Sequence, residues 1–223
     1  MFLAQWSPDD KDKHPVLLAF HGAGGIANEA NVRSQSITRL LSGTKEGNED
    51  FPKGFPFITI MPLCPSRGWG QLFDKCLALL DHVASNMGGK KSHTYLAGQS
   101  MGGNGTWMFA SQHPERFAAI VPICGYAGTT KDSGSEEAVG VVNALKTKPA
   151  WVFHSADDVV VPVAKSDEMV EALKAAGNEA VKYTRYETAP ACPPPHDHLK
   201  GHASYDLAFA EKDLYPWLLT HSL

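Results

Sequence analysis

The sequence predicts an α/β fold in a single domain spanning residues 1–223, a mainly parallel sheet covered by helices on both faces as a three-layer sandwich. Three observations predict it. Strand-like and helix-like patterns alternate along the chain, with no internal repeat and no low-complexity tract. The strands read as short continuous apolar runs, as expected of strands buried on both faces. The chemically suggestive clusters stand at the carboxyl ends of these runs, where open α/β sheets gather their active groups.

Taken in order, Phe2–Trp6 reads as a short edge strand. Pro15–Phe20 is a continuous apolar strand that ends in His21-Gly22-Ala23-Gly24-Gly25. A helix is expected over Glu29–Leu41, then a loop rich in Gly, Glu and Asp over Ser42–Gly54. Phe57–Met61 is the next strand, closed by Pro62. Leu72–Val83 carries apolar residues at Leu72, Phe73, Cys76, Leu77, Leu79, Leu80 and Val83, which is helical spacing. Thr94–Gln99 is a strand, followed by a helix to Gln112 that stops before Pro114. Ala118–Ile123 and Ala150–His154 read as strands around a helix at Glu136–Leu145. Pro162 opens a helix that runs to Ala176 and is ended by Gly177. Val181–Glu187 is the last strand, Pro190–Gly201 a loop rich in Pro and His, and Ser204–Leu219 one last helix containing Pro216.

Composition narrows the function classes. The chain is 43% hydrophobic and 20% charged, enough for a sizeable core, with a formal net charge of -4 and no Lys/Arg block. No nucleic-acid or acidic-membrane partner is expected. No apolar run approaches the roughly 20 residues of a membrane span. Met1–Pro8 is too short and too polar to read as a signal peptide, so a cytoplasmic location is the expectation. The four cysteines, Cys64, Cys76, Cys124 and Cys192, lack C-x-x-C spacing and read as free, mostly buried thiols.

The run Gly98-Gln99-Ser100-Met101-Gly102 is G-x-S-x-G between a strand and a helix, the nucleophile-elbow pattern. A sharp turn at Ser100 leaves no room for side chains two residues before or after it. Gly98 and Gly102 supply that room, and Gly103 lets the helix lie close to the sheet. A serine hydroxyl needs a general base to act as a nucleophile. The partners of such an elbow follow it as an acid and then a histidine. That order leaves His196, His198, His202 and His221. His202, between Gly201 and Ala203 before the last helix, is the first candidate and His198 the second. The acid is expected in Trp151–Pro162, where a buried strand runs into Asp157 and Asp158. Periodicity alone does not choose between these two.

The glycine-rich His21–Gly25 turn lets backbone N–H groups approach a ligand. Those of Ala23 and Met101 are candidates for an oxyanion hole. Phosphate binding is disfavoured: Gly22-Ala23-Gly24 begins a G-x-G, but Ala27 stands where the third glycine belongs. His196-Asp197-His198 with His202 has the residue types of a metal site but no helix or cysteine frame, and no metal or organic cofactor is expected. Trp69 and Gln99 are the candidate substrate-binding residues, with simple core packing the alternative for Trp69.

Five segments together resemble α/β-hydrolases of the phospholipase/carboxylesterase and dienelactone-hydrolase-like type, including esterases labelled predicted peptidases or polyhydroxybutyrate-depolymerase-like. They are Leu18–Gly25, Ile60–Trp69, Tyr95–Trp107 with Phe117–Gly125, Trp151–Val163 and Gly201–Leu218, nearly the whole chain. The resemblance implies Ser100 as nucleophile, His202 as general base and Asp158 as the acid, four residues after His154 and four before Pro162. It implies Ala23 and Met101 as oxyanion donors, and hydrolysis of a small-molecule carboxylic ester without a cofactor. An amidase or peptidase with the same three residues, or a non-catalytic binding protein on this fold, is the alternative. Two departures stand out. Ser155 replaces the glycine usual after the histidine, and the loop Pro190–Lys200 is long and proline-rich.

Overall fold

A computed structural model describes residues 2–3, 13–34, 36–41, 55–128, 135–192 and 196–223. The expected loop Ser42–Gly54 lies outside them, as do residues 4–6 of the expected first strand. The sheet has seven strands in the order β1-β3-β2-β4-β5-β6-β7. They are β1 (Phe2–Leu3), β2 (His14–Phe20), β3 (Ile58–Ile60), β4 (Gly89–Gln99), β5 (Ala119–Ile123), β6 (Ala150–Ser155) and β7 (Val181–Tyr186). Among the described residues only the short edge strand β1 runs antiparallel, and every other neighbouring pair is parallel.

The two-residue alternation of a strand sorts the core into two layers. Val16, Leu18 and Phe20 of β2, with Leu96, Ile120 and Val152, face α3 (Phe73–Asn86), α4 (Met101–Gln112), α5 (Glu136–Leu145) and α6 (Ala164–Ala175). Leu17, Ala19, Tyr95, Ala97, Val121 and Phe153 face the opposite way. They meet α1 (Glu29–Ser34), α2 (Ser36–Leu41), α7 (Ser204–Phe209) and α8 (Leu214–Leu219). This is the three-layer sandwich expected from the sequence.

The expected helix Glu29–Leu41 is helical at Glu29–Ser34 and Ser36–Leu41, residue 35 lying outside the described residues, whereas the last expected helix is divided. Ser204–Leu219 breaks at residues 210–213, ahead of Pro216, not at it. Tight bonds from Ala210 N–H to Leu207 O (3.2 Å) and Glu211 N–H to Ala208 O (3.2 Å) close α7. In one continuous helix the Pro216 ring would clash with the carbonyl four residues earlier. With α8 restarting at Leu214, the proline falls in its first turn, where a missing N–H leaves nothing unsatisfied.

Register delivers the site. Phe20 lies beside Gly98, Gln99 beside Ile123, and Ile123 beside Phe153. The carboxyl ends of β2, β4, β5 and β6 therefore finish on one edge. The residues that follow them (His21–Gly25, Ser100, Cys124 and the turn after Ser155) share that edge.

Candidate active site

Ser100 sits between β4 and α4 with φ 54° and ψ -116°. A positive φ is costly for a residue with a Cβ, so the surrounding structure must impose it. The neighbouring glycines show how. A Cβ on Gly98 would collide with the Gly102 carbonyl, and one on Gly102 with the carbonyl of Phe20 on β2. One on Gly103 would press on the carbonyl of Ile123 on β5. The start of α4 is thus wedged between two strand ends, and Ser100 is further held by its N–H bond to Ile123 O (2.9 Å). Gly102→Ala is expected to cost about 1–3 kcal/mol. Equilibrium denaturation measures this; a stability equal to that of the unaltered chain would show that the wedge is not tight.

The histidine that reaches Ser100 is His202. Its Nε2 lies 2.8 Å from Ser100 Oγ and its Nδ1 2.8 Å from Asp158 Oδ2. His202 is buried, whereas His198, the second candidate, is exposed. Gly201 does more than leave room for a projecting side chain. It has φ +73°, and a Cβ there would run into the backbone carbonyl of Asp157. The loop carrying His202 thereby rests directly on the turn carrying the acid, and Val159 N–H donates to Lys200 O (3.1 Å) across the same junction.

The choice between the two aspartates is made by this turn. Asp158 Oδ1 accepts N–H bonds from Val160 (2.8 Å) and Val161 (3.0 Å), which aims Oδ2 at His202. Asp157 points elsewhere: its Oδ1 accepts from Ser155 Oγ and from Ala189 N–H (3.1 Å). Ser155, in place of the expected glycine, therefore helps tie the segment after β7 to the turn. Burial by itself would raise the Asp158 carboxyl. Hydrogen bonds from His154 and His202, the charge of His202 and the Val161 N–H outweigh it and hold the group well below the ordinary carboxylate range.

His154, in the sequence only a landmark for the acid, makes a contact of its own. Its side chain is fully buried and its Nε2 lies 3.2 Å from Asp158 Oδ2 and 3.0 Å from Val161 O. A carbonyl can only accept, so Nε2 carries the hydrogen and Nδ1 accepts from Ser166 Oγ at 2.7 Å. Asp158 is thus held by two imidazoles and two turn amides. The four-residue spacing of His154 and Asp158 was the available signal.

The glycine-rich turn is braced from behind. Ala23–Gly25 is a turn of 3-10 helix. His21 Nδ1–H donates to Gly22 O (2.7 Å) and its Nε2 accepts from Cys64 N–H (3.0 Å). Burial lowers the His21 pKa against the raising effect of the Gly22 bond, favouring this neutral form. Trp69 donates to His21 O (3.2 Å) and stacks on Phe20 with ring centroids 4.0 Å apart. Trp69 therefore fills the core and carries the turn, and it borders the cavity beside it. Gln99 is buried next to Ser100 and lines a second cavity. Met101 is the first residue of α4, where a backbone N–H has no intrahelical acceptor.

Among the described residues, Cys124, Asp158 and His202 bring potential ligand atoms within 4.8 Å of one another. Their chemistry does not suit a metal. Both His202 nitrogens are engaged by Ser100 and Asp158, and burial pushes the Cys124 thiol up, keeping it protonated. His196 and His198 have ring centroids 6.3 Å apart, and His196 faces a cavity rather than a ligand cage.

Residues 77–173 match the esterase family model, described as "Putative esterase". That span holds Ser100 and Asp158 and ends before His202. An "Uncharacterized secreted protein" of Arthroderma benhamiae is 30% identical over 126 residues, 53% of this chain and 13% of its own length. A "Putative carboxymethylenebutenolidase" of Salmonella typhi is 31% identical over 107 residues, 47% of this chain and 39% of its own. A thermostable esterase of known structure superposes with a TM-score of 0.74 at 26% identity, covering 97% of this chain and 56% of that one. The chain thus spans well under half the length of these two curated relatives and about half that of the solved esterase.

Proposed function

We propose that this chain, similar to esterases over residues 77–173 and in fold, cleaves carboxylic esters with Ser100 as nucleophile, His202 as general base and Asp158 as the acid that orients it. The observation that carries this reading is the unbroken hydrogen-bonded chain from Ser100 through His202 to Asp158, two bonds of 2.8 Å each, at a strained elbow.

In the proposed reaction Ser100 Oγ attacks the acyl carbon as its proton passes to His202 Nε2. The tetrahedral oxyanion is held by the N–H groups of Ala23 and Met101, each donor contributing on the order of a hundredfold or more in rate. His202 returns the proton to the alkoxide, which leaves as the alcohol. Water then attacks the acyl-enzyme with His202 again taking the proton, and the acid departs as Ser100 is restored. Asp158 stays ionised throughout and steadies the imidazolium. For location, the four buried free thiols support the cytoplasmic expectation, since a reducing compartment preserves them.

A fluorophosphonate probe and short-chain p-nitrophenyl esters test the reading. Covalent labelling at Ser100 together with ester turnover is expected. Labelling with turnover of amides but not of esters would move the assignment to an amidase. Neither labelling nor turnover would make this a binding protein on a hydrolase fold.

A further inference from the structure

Two cavities open beside Ser100. The smaller, about 150 Å³, is walled by Arg39, Leu199, Tyr205 and Asp206 together with His202. The larger, about 550 Å³, is walled by Trp69, Phe73, Met101, Met108 and Tyr126. Ala23, Ser100 and Val160 border both, and His202 borders only the smaller. Building on the ester-hydrolase reading, we propose that the larger cavity takes the acyl group and the smaller takes the alcohol, and that the preferred alcohol is compact and carries further hydroxyls.

The placement of His202 decides which half goes where. The leaving alkoxide must receive its proton from His202 Nε2, and the water that releases the acid must give its proton to the same atom. The acyl group stays on Ser100 through both events. It must therefore lie away from His202, leaving the His202 side to the alcohol and then to water. With Ala23 and Ser100, Val160 stands where the two cavities adjoin, and its N–H donates to Asp158 Oδ1 (2.8 Å). The partition is thus tied to the acid itself.

Size and polarity define each half. A cavity of roughly 150 Å³ accommodates about one six-membered ring, so the alcohol is compact. The larger cavity has more than three times that volume, which suits a bulky acid, and its lining mixes aromatic and thioether groups with Arg67, Asn104 and Gln112. In the smaller one, Arg39 on α2 pairs with Asp206 on α7, Nη2 to Oδ2 at 2.7 Å. The pair is neutral as a unit and presents donors beside an acceptor. A hydroxyl can donate to Asp206 and accept from Arg39 at once. With no net charge, the pair gives neither an anionic nor a cationic alcohol an advantage over a neutral one. An apolar one would remove water from both groups without replacing its hydrogen bonds.

A matrix of esters tests this, with acetyl to octanoyl acids crossed with methanol, propanol and glycerol. The unaltered chain is expected to prefer glyceryl over propyl esters by about tenfold in kcat/KM. Met108→Trp should lower octanoyl relative to acetyl turnover by about tenfold and leave the ranking of alcohols intact. If that variant does not fold, Met108→Ala should shift preference toward bulkier acids. The double variant Arg39→Met with Asp206→Leu replaces the ion pair by an apolar contact of similar bulk, a change folds generally tolerate. It should erase the glyceryl preference and keep the ranking of acids. Swapped sensitivities, or no glyceryl preference in the unaltered chain, would overturn this proposal alone. Turnover of no ester in the matrix would overturn the hydrolase reading and this one with it.

Discussion

Ser100→Ala is expected to lower kcat for ester hydrolysis by about a million-fold, the loss typical when the nucleophile of such a set is removed. The fold should persist, because among the described residues Oγ bonds only to His202 and contributes nothing to either apolar layer. Alanine keeps a Cβ at φ 54°, so the backbone strain at the elbow remains. Ser100→Gly removes that strain and should be equally inactive yet more stable, by about 1 kcal/mol. Single-turnover kinetics, probe labelling and thermal denaturation of the two variants separate these effects. Residual turnover within a hundredfold of the original would reject Ser100 as the nucleophile.

Asp158→Asn should cost about ten-thousand-fold in kcat, while Asp157→Asn should stay within several-fold of the unaltered chain. At Asp158 the amide oxygen can still take the Val160 and Val161 N–H bonds, which turns the NH2 toward His202 Nδ1 and His154 Nε2. Facing a donor, His202 adopts the tautomer with hydrogen on Nε2 and loses its ability to take the Ser100 proton. Asp157 holds Ser155 and the backbone at Ala189 and touches neither His202 nor Ser100. The acid also contributes to stability with a defined sign. Its folded pKa is depressed, so its contribution is present above the unfolded value near 4 and is lost as pH falls further. The stability difference between the unaltered chain and Asp158→Asn should therefore narrow below about pH 4. Comparable activity losses in the two asparagine variants would undo the assignment.

Much of this site was legible because it rests on local constraints. The elbow glycines are demanded by backbone collisions within a few residues of Ser100. Continuous apolar runs read as strands covered on both faces, and their alternation with helices pointed to a parallel sheet. The order Ser, acid, His narrowed ten histidines to a few. The aspartate was not legible from periodicity, since the strand ends at Ser155. Beyond it, side-chain direction is set by turn hydrogen bonds, not by alternation. Trp69 read equally well as core or pocket; its stacking on Phe20 and bond to His21 O arise from segments far apart in sequence.

The sequence by itself determined the layers, the strand ends and the elbow that carries Ser100, because these follow from nearest-neighbour sterics and the periodicity of burial. Only the tertiary structure decided what surrounds that serine. His154 reaches Asp158 through side-chain packing under the β6 turn. Arg39 and Asp206 meet only when α2 and α7 come together on one face of the sheet. Val160, whose amide is bound to Asp158, borders both cavities. Such contacts depend on distances between elements remote in the chain, and no local pattern records a distance.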